Sequence, residues 1–307
     1  MKRIAWPLLV GLWIATPLSF AGNPPTAPVS FKVMAYNVHN FIAVVNHPGK
    51  GHDEKPKPES EKDALYTLIA EEAPDILGLE EVGDQKFLKE IQEGLRAKGA
   101  DYPHSEWIQG DDPTRHVCLL SRFPIVARDA HTHGEYHLAG RAMHVSRGFI
   151  EADVQVAPDY VVKVYVVHLK SKREIDVPGG ADAMRLEEAK LLRKYVDEDL
   201  RAHPDANIVV MGDFNDTPDS PAIKTIRDSE TLPLLDLKPV DEKGYSGTFY
   251  YRPSKHYDRI DYILLSPGLK NEYIEKSARI RDDATARKAS DHFPVEASFK
   301  VGDQSPK

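Results

Sequence analysis

The sequence predicts an α/β fold in which a mixed β-sheet system is covered by helices. Three observations lead there. Short β-branched runs alternate with amphipathic helical stretches. No short-period repeat and no break in composition divides the chain after its first thirty residues. Hydrophobic residues at 41% and charged residues at 29% supply a large core. That mix excludes a disordered chain, a collagen and a multi-span membrane protein.

The elements follow in order. Phe31 to Tyr36 alternates apolar and polar residues, as a strand does. Glu61 to Ala73 carries Leu65, Leu68 and Ile69 at helical spacing, and Pro74-Asp75 stops it. Ile76 to Leu79 reads as a short buried strand. Asp84 to Lys98 repeats the helical pattern with Phe87, Leu88, Ile91 and Leu95. Val117 to Leu120 is a strand ending at a turn, Ser121-Arg122-Phe123-Pro124. Gly148 to Val156 and Val161 to Val167 form a hairpin across Ala157-Pro158-Asp159. Ala183 to Leu200 is a helix with Leu186, Ala189, Leu192 and Val196 inward. Asn207 to Met211, Tyr257 to Leu265 and Val295 to Val301 are the remaining strands.

The N-terminus has a different character. Lys2 and Arg3 precede an apolar run from Leu8 to Phe20, and Ser19 and Ala21 are small. This is the pattern of a cleaved signal peptide over residues 1–21. The run is shorter than the roughly 20 residues of a spanning helix, and Pro7 and Pro17 weaken it, so no stable membrane anchor is expected. Residues 22–30 read as an extended linker, 31–301 as one domain and 302–307 as a tail. The destination is then secreted or periplasmic. Cys118 is the only cysteine, so no internal disulfide braces the fold. The formal charge is −8, and cleavage makes it more negative by removing Lys2 and Arg3. Any contact with a polyanion must therefore be local and salt-sensitive.

The chemistry collects at strand ends. Polar residues adjoin buried strands in Tyr36-Asn37-Val38-His39-Asn40, Leu79-Glu80-Glu81-Val82, Val167-His168-Leu169-Lys170-Ser171, Met211-Gly212-Asp213-Phe214-Asn215-Asp216 and Ser290-Asp291-His292-Phe293. Asp261 sits inside a strand. A buried acid is costly unless it is paired or binds a cation. Six such segments point to one convergent polar site. The oxygen donors Asn37, Glu81, Asp213, Asn215 and Asp291, without cysteine, suit Mg²⁺, Mn²⁺ or Ca²⁺. His168 and His292 can move protons near neutral pH. Together they suit metal-assisted attack on a phosphate ester.

These motifs, in this order, resemble the endonuclease/exonuclease/phosphatase superfamily, of deoxyribonuclease I type. The resemblance runs from about Phe31 to Val301. It is carried most specifically by Gly212-Asp213-Phe214-Asn215 and Ser290-Asp291-His292, and Leu79-Glu80-Glu81-Val82 matches a Leu-Gln-Glu-Val pattern. It implies a four-layer sandwich, two stacked mixed sheets flanked by helices. It implies that Asn37, Glu81 and Asp291 hold the metal. Asp213 and Asn215 would orient the nucleophile, with Asp261 holding His292 as general base and His168 contacting the phosphate. Arg147 would contact substrate phosphate. Two departures stand out. His39 occupies a position that is aspartate in some branches. Arg115 or His116 stands where a glutamate braces the residue equivalent to His168 in deoxyribonuclease I.

The reading is a secreted, Mg²⁺-dependent phosphodiesterase, a nuclease acting on DNA or RNA as a monomer. The alternative is a sphingomyelinase-like or phosphoinositide phosphatase activity on lipid headgroups, and a third is a non-catalytic binding protein. Lys170, with Lys172 and Arg173, either engages a phosphate backbone or solvates a loop. His131, His133, His137 and His144 form a polar loop cluster with no recognised zinc spacing. Tyr245, Phe249, Tyr250 and Tyr251 either stack on bases or pack a loop.

Overall fold

The computed structural model describes residues 30–43, 55–229 and 232–302. The expected signal segment, the linker up to residue 29 and the tail from residue 303 lie outside these described residues.

The chain opens with β1 (Ser30–Phe41), α1 (Glu59–Glu72), β2 (Ile76–Val82) and α2 (Gln85–Ala97). Next come β3 (His104–Ile108), β4 (His116–Ser121), β5 (Ile125–His131), β6 (Glu135–Leu138) and β7 (Arg141–His144). The middle holds β8 (Phe149–Ala157), β9 (Tyr160–His168), α3 (Gly180–Ala202), β10 (Ile208–Asp213) and α4 (Pro221–Arg227). The last third holds β11 (Leu235–Asp236), β12 (Phe249–Tyr251), β13 (His256–Asp258) and β14 (Asp261–Leu265). A 3-10 turn, β15 (Arg279–Ile280), α5 (Ala284–Ala289) and β16 (Val295–Lys300) complete it.

Two six-stranded mixed sheets form the frame. The first has the order β15-β16-β1-β2-β4-β3 and the second β11-β14-β10-β9-β8-β5. They pack face to face, with β10 against β1 and β2 and with β4 against β8 and β9. Helices close the sandwich. Leu65, Leu68 and Ile69 of α1, Leu88, Ile91 and Leu95 of α2, and Ala286 and Ala289 of α5 share one core with the first sheet. Ala189, Leu192 and Val196 of α3 and Ile223 and Ile226 of α4 share a second core with the outer face of the second sheet. The four-layer α/β sandwich is therefore the fold of this chain.

Strand parity explains why the central strands of the second sheet, β9, β10 and β14, are apolar on both faces. Successive side chains point to opposite sides of a strand. Val164 and Val166, Val209 and Met211, and Ile263 and Leu265 face the first sheet. Tyr165 and Val167, Ile208 and Val210, and Tyr262 and Leu264 face α3 and α4. The two sheets approach closely at Gly78, where a Cβ would stand 2.8 Å from Val166. Helix starts are written locally. Ser220 and Asp283 accept from the backbone N–H groups of Ile223 and Ala286 as N-caps of α4 and α5, and Pro221 opens α4.

The structure differs from the expected single strand over Tyr257 to Leu265. It breaks at Arg259-Ile260, with β13 in a small hairpin with β12 and β14 in the second sheet. Thr248 Oγ1 accepts from both Ile260 N and Asp261 N at 3.0 Å, which diverts the backbone between the two sheets.

Candidate active site

The parity that packs the second sheet also aims its last residues. His168, Asp213 and Asp261 continue the inward-facing series of β9, β10 and β14. They lie side by side, because Asp213 pairs with His168 on one neighbour and with Asp261 on the other. The first sheet answers with Asn37 on β1, Glu81 on β2 and Asp291 just before β16, three neighbouring strands. Asn37 joins the sheets by donating from Nδ2 to Asp213 Oδ2 at 3.0 Å.

Backbone geometry is unusual at this rim. His39, Asn40, Glu81 and Asn215 all have positive φ, between 47° and 63°. Non-glycine residues rarely adopt that region, and such strain concentrates at functional sites. Gly212, at φ 136°, precedes Asp213, and a Cβ there would stand 2.1 Å from the Val167 carbonyl oxygen. Only glycine lets β10 pass so close.

His292 is buried between two carboxylates. Its Nδ1 lies 3.0 Å from Asp261 Oδ2 and its Nε2 3.8 Å from Asp213 Oδ2. Ser290 Oγ sets the approach, accepting from His292 N at 3.1 Å while donating to the Asn37 carbonyl at 2.8 Å. The Phe249 ring stands 4.7 Å from the imidazole. Burial alone would lower the His292 pKa, but Asp261 and Asp213 outweigh it and hold the pKa well above the usual histidine range. Burial pushes Asp213 up to about 7, against the pull of His292. His168 goes the other way. Burial, then Arg147 and His292, push its pKa well down, so it is a neutral imidazole. Its Nε2 is 3.5 Å from Asp213 Oδ2. Neighbouring histidines with opposed shifts are a pattern of acid–base sites.

Asn215 turns back on this group. Its N–H donates to Asp213 Oδ1 at 2.8 Å and its Nδ2 to the Leu169 carbonyl at 3.0 Å. Beneath lies Glu80, fully buried, with neither carboxylate oxygen hydrogen-bonded among the described residues. Burial, then Asp261 and Asp213, raise its pKa well above the carboxylate range, so it is protonated. Sequence reasoning assigned Glu80 no role, and its inward parity was the available signal. Thr248 was missed as well and left no motif to find it by.

Glu81, Asp291, Asp213, Asn215 and His292 all line one cleft of about 660 Å³. Glu81 Oε2 accepts from Asn40 N at 2.9 Å, with Arg115 Nε 3.7 Å away. Asp291 Oδ1 is buried and has no hydrogen-bond donor among the described residues. An orphaned, buried carboxylate oxygen in a cleft that Glu81 also lines suits a hard divalent cation. Asn37 is committed differently, since its Oδ1 accepts from His39 N at 2.9 Å and its Nδ2 serves Asp213. Asp213, Asp261 and His292 also bring ligand atoms within 4.8 Å of one another. There the imidazole fills the space between the carboxylates, which marks an acid–base pair more than an ion site.

Arg147 and Lys170 lie elsewhere. Both line a neighbouring cleft of about 350 Å³. Arg147 is buried, with Nε 3.2 Å from Asp112 Oδ2 and Nη1 donating to the Leu169 carbonyl. The Lys and Arg side chains on the main cleft, among the described residues, are Lys172, Arg173 and Arg252, which line it together with Phe249, Tyr250 and Tyr251. The four histidines expected in a polar loop sit mostly on strands instead, His131 ending β5, His137 within β6 and His144 ending β7, and apart from a 6.4 Å ring contact between His133 and His144 they do not converge. His131 binds Glu151 at 2.8 Å, His144 pairs with Asp111 and His137 with Glu135. Asp129, His131 and Glu151 are close enough for an ion, but Lys163 and Tyr165 already occupy Glu151. Arg259 binds Asp236 at 3.0 Å, which leaves Asp261 to His292.

Comparison with known proteins places this geometry. No curated protein sequence matches the chain. Among solved structures, an endonuclease/exonuclease/phosphatase family protein from Leptotrichia buccalis aligns with TM-score 0.62 and 17% identity, over 88% of this chain and 99% of that one. Truncated TDP2 from Caenorhabditis elegans aligns with TM-score 0.59 and 16% identity, over 89% and 98%. Beta toxin 275-280 from Staphylococcus aureus gives TM-score 0.59 and 16% identity, over 87% and 99%. These similarities establish the fold. The model of the Endonuclease/Exonuclease/phosphatase family matches residues 34–292, from β1 to His292. Members of that family are phosphoric ester hydrolases that use divalent metal ions. With its acid–histidine cluster inside the matched span, the chain belongs to the endonuclease/exonuclease/phosphatase family.

Proposed function

We propose that this protein is an exported, Mg²⁺-dependent phosphodiesterase that cuts nucleic acid. The observation that carries the reading is the placement of His292. It is held by Asp261, faces Asp213, and opens onto the cleft that Glu81 and Asp291 line.

In this reading Glu81 and Asp291 hold the ion, with Asn37 fixing the turn between them. A divalent ion bound there supplies positive charge to the phosphoryl oxygens and offsets the high proton affinity of His292. The chain's own groups do the rest. Asp213 Oδ2 and His292 Nε2 face the same space and align the attacking water. Its proton passes to Nε2, while Asp261 keeps the Nδ1–H oriented and stabilises the imidazolium. Neutral His168 donates a hydrogen bond to the phosphoryl group as charge builds. Asn215 locks Asp213 in line.

Nucleic acid is favoured over a lipid headgroup by the walls of the cleft. Aromatic Phe249, Tyr250 and Tyr251 share the lining of the cleft with Lys172 and Arg173. Rings stack on bases and cations follow a phosphate backbone. Arg147 and Lys170 would meet a neighbouring phosphate in the side cleft. Export rests on the charged start and apolar run before Ala21. Among the described residues no helix is long and apolar enough to cross a membrane.

The test is a panel of plasmid DNA, RNA and sphingomyelin vesicles, with and without EDTA, using wild type and Glu81→Gln. Cleavage of nucleic acid that EDTA abolishes and Glu81→Gln greatly reduces is expected. Full cleavage in EDTA, or turnover of the vesicles alone, would refute the reading.

A further inference from the structure

Three hollows join end to end along the β12–β13 hairpin. The main cleft shares Tyr250, Arg252 and Asp291 with a small hollow of about 210 Å³, and that hollow shares Tyr257 and Arg287 with an outer one of about 400 Å³. No step of the hydrolysis above uses the outer hollow. It is lined by the rings of Tyr245 and Tyr257, by Lys243, Arg259 and Arg287, and otherwise by small or acidic residues, with no aliphatic side chain.

Tyr257 is a fixed platform. It pairs with Tyr250 across the hairpin, ring centroids 4.7 Å apart, and stacks on Phe293 at 6.0 Å and 20°. Gly247 makes room for it, since a Cβ there would stand 2.7 Å from Tyr257 Cβ. The turn that carries Tyr245 is pinned by Asp241, whose Oδ1 accepts from Lys243 N and Tyr245 N, both at 2.8 Å. Yet Tyr257 is 40% exposed and Tyr245 69%. Large rings that are held in place but open to water bind at little entropic cost.

The charges suit an anion. Asp241 is engaged by its own turn, and Arg287 binds Asp282 at 2.6 and 2.8 Å. Lys243 has no ion pair among the described residues. Arg259 is held by Asp236, but its buried Nε has no acceptor among the described residues. A buried N–H without an acceptor is the place for an oxygen from another molecule.

We propose that the outer hollow is a second contact for single-stranded nucleic acid, seating a nucleotide away from the bond that is cut. This rests on the reading that the main cleft hydrolyses nucleic acid. Bases can lie on Tyr245 and Tyr257 only where they are free of their own neighbours, which a duplex does not allow. A lipid chain would find no aliphatic wall here. The protein therefore prefers single strands long enough to span all three hollows.

The test is fluorescence anisotropy in EDTA with labelled single-stranded oligothymidylates of about 4 and about 20 nucleotides, and a duplex of the longer length. The long single strand should bind at least ~10-fold tighter than either of the others. Tyr245→Ala removes an exposed ring and should weaken the long strand by about 5- to 150-fold, with the short one changing less and Tyr245→Trp restoring the difference. Lys243→Glu should lower the slope of log affinity against log salt by about 1. Equal affinity for the two lengths, or a length preference that Tyr245→Ala and Lys243→Glu both leave intact, overturns the proposal. Binding to phosphatidylserine vesicles that Tyr245→Ala abolishes, with oligonucleotide binding unmoved, would assign the surface to a membrane instead. Cleavage assays in Mg²⁺ separate the two levels. Nucleic acid cut with no regard to length or strandedness refutes the outer contact alone, whereas no cleavage of any nucleic acid refutes the parent reading and this one with it.

Discussion

Replacing Asp261 with asparagine should disable the site while leaving the fold intact. The substitution is isosteric, and the backbone at Ile260 and Asp261 stays anchored to Thr248. What changes is charge and tautomer. Opposite unit charges ~4 Å apart at an effective dielectric of ~20 attract by roughly 4 kcal/mol. The 3.0 Å contact of His292 with Asp261 is in that range. Burial opposes it and Asp213 remains, so the His292 pKa should fall without losing all of its elevation. The asparagine amide would also present a donor to Nδ1, forcing the ring proton onto Nε2, where a base needs a lone pair. Turnover should drop ~100- to 10,000-fold, the span of general acid–base contributions. The sign of the pH effect is fixed. A base works deprotonated, so wild-type activity rises with pH through the raised pKa of His292, and the acidic limb of the residual Asp261→Asn activity should move to lower pH. Steady-state hydrolysis of bis(p-nitrophenyl) phosphate at fixed metal concentration measures both. Near-normal turnover with an unmoved acidic limb would refute the assignment.

Two further outcomes concern stability. Glu80 is a buried acid with its pKa raised, by burial first, above the ordinary 4.5. Its favourable contribution is complete below that value and declines by up to ~1.4 kcal/mol per pH unit until the raised pKa is reached. Glu80→Gln should therefore raise the melting temperature by an amount that grows from acidic to mildly alkaline pH; a gain that does not change with pH would contradict a protonated Glu80. Gly212→Ala must move the Val167 carbonyl and should cost about 3 kcal/mol or more, lowering the melting temperature by roughly 6–12 °C for a domain of this size. Calorimetric scans that superimpose on wild type would show that β10 can accommodate the methyl group.

The elements legible in the sequence were those whose apolar residues obey one period. β10 and the second half of β9 are buried on both faces, β8 on one, and all three read as β-branched runs, while α2 shows its inward leucines at helical spacing. β5 was invisible, because an edge strand with exposed Arg128 and Asp129 has no apolar face to display. α5 is six residues in a charged stretch and is defined by its Asp283 cap more than by a stripe. The site was legible where a motif fixed a residue against a strand end, as for Asp213, Asp261 and His292. It was less so where loop direction decides. Lys170 and Lys172 are two residues apart, yet they line different clefts, because the chain leaves the sheet after His168. His39 showed only as a departure from the pattern, since nothing local reveals a bulge that turns it toward Asp291.

The site is assembled across the seam between the two sheets. The first sheet carries Asn37, Glu81, Asp291 and His292, and the second carries His168, Asp213 and Asp261. Asn37 and Asp213 meet only when the layers close, and so do His292 and Asp261. A nascent chain that has ordered one layer alone holds half of this residue set and, on the proposed function, would have no hydrolytic power. During refolding from denaturant, recovery of activity must then coincide with the final docking event and lag behind the return of secondary structure.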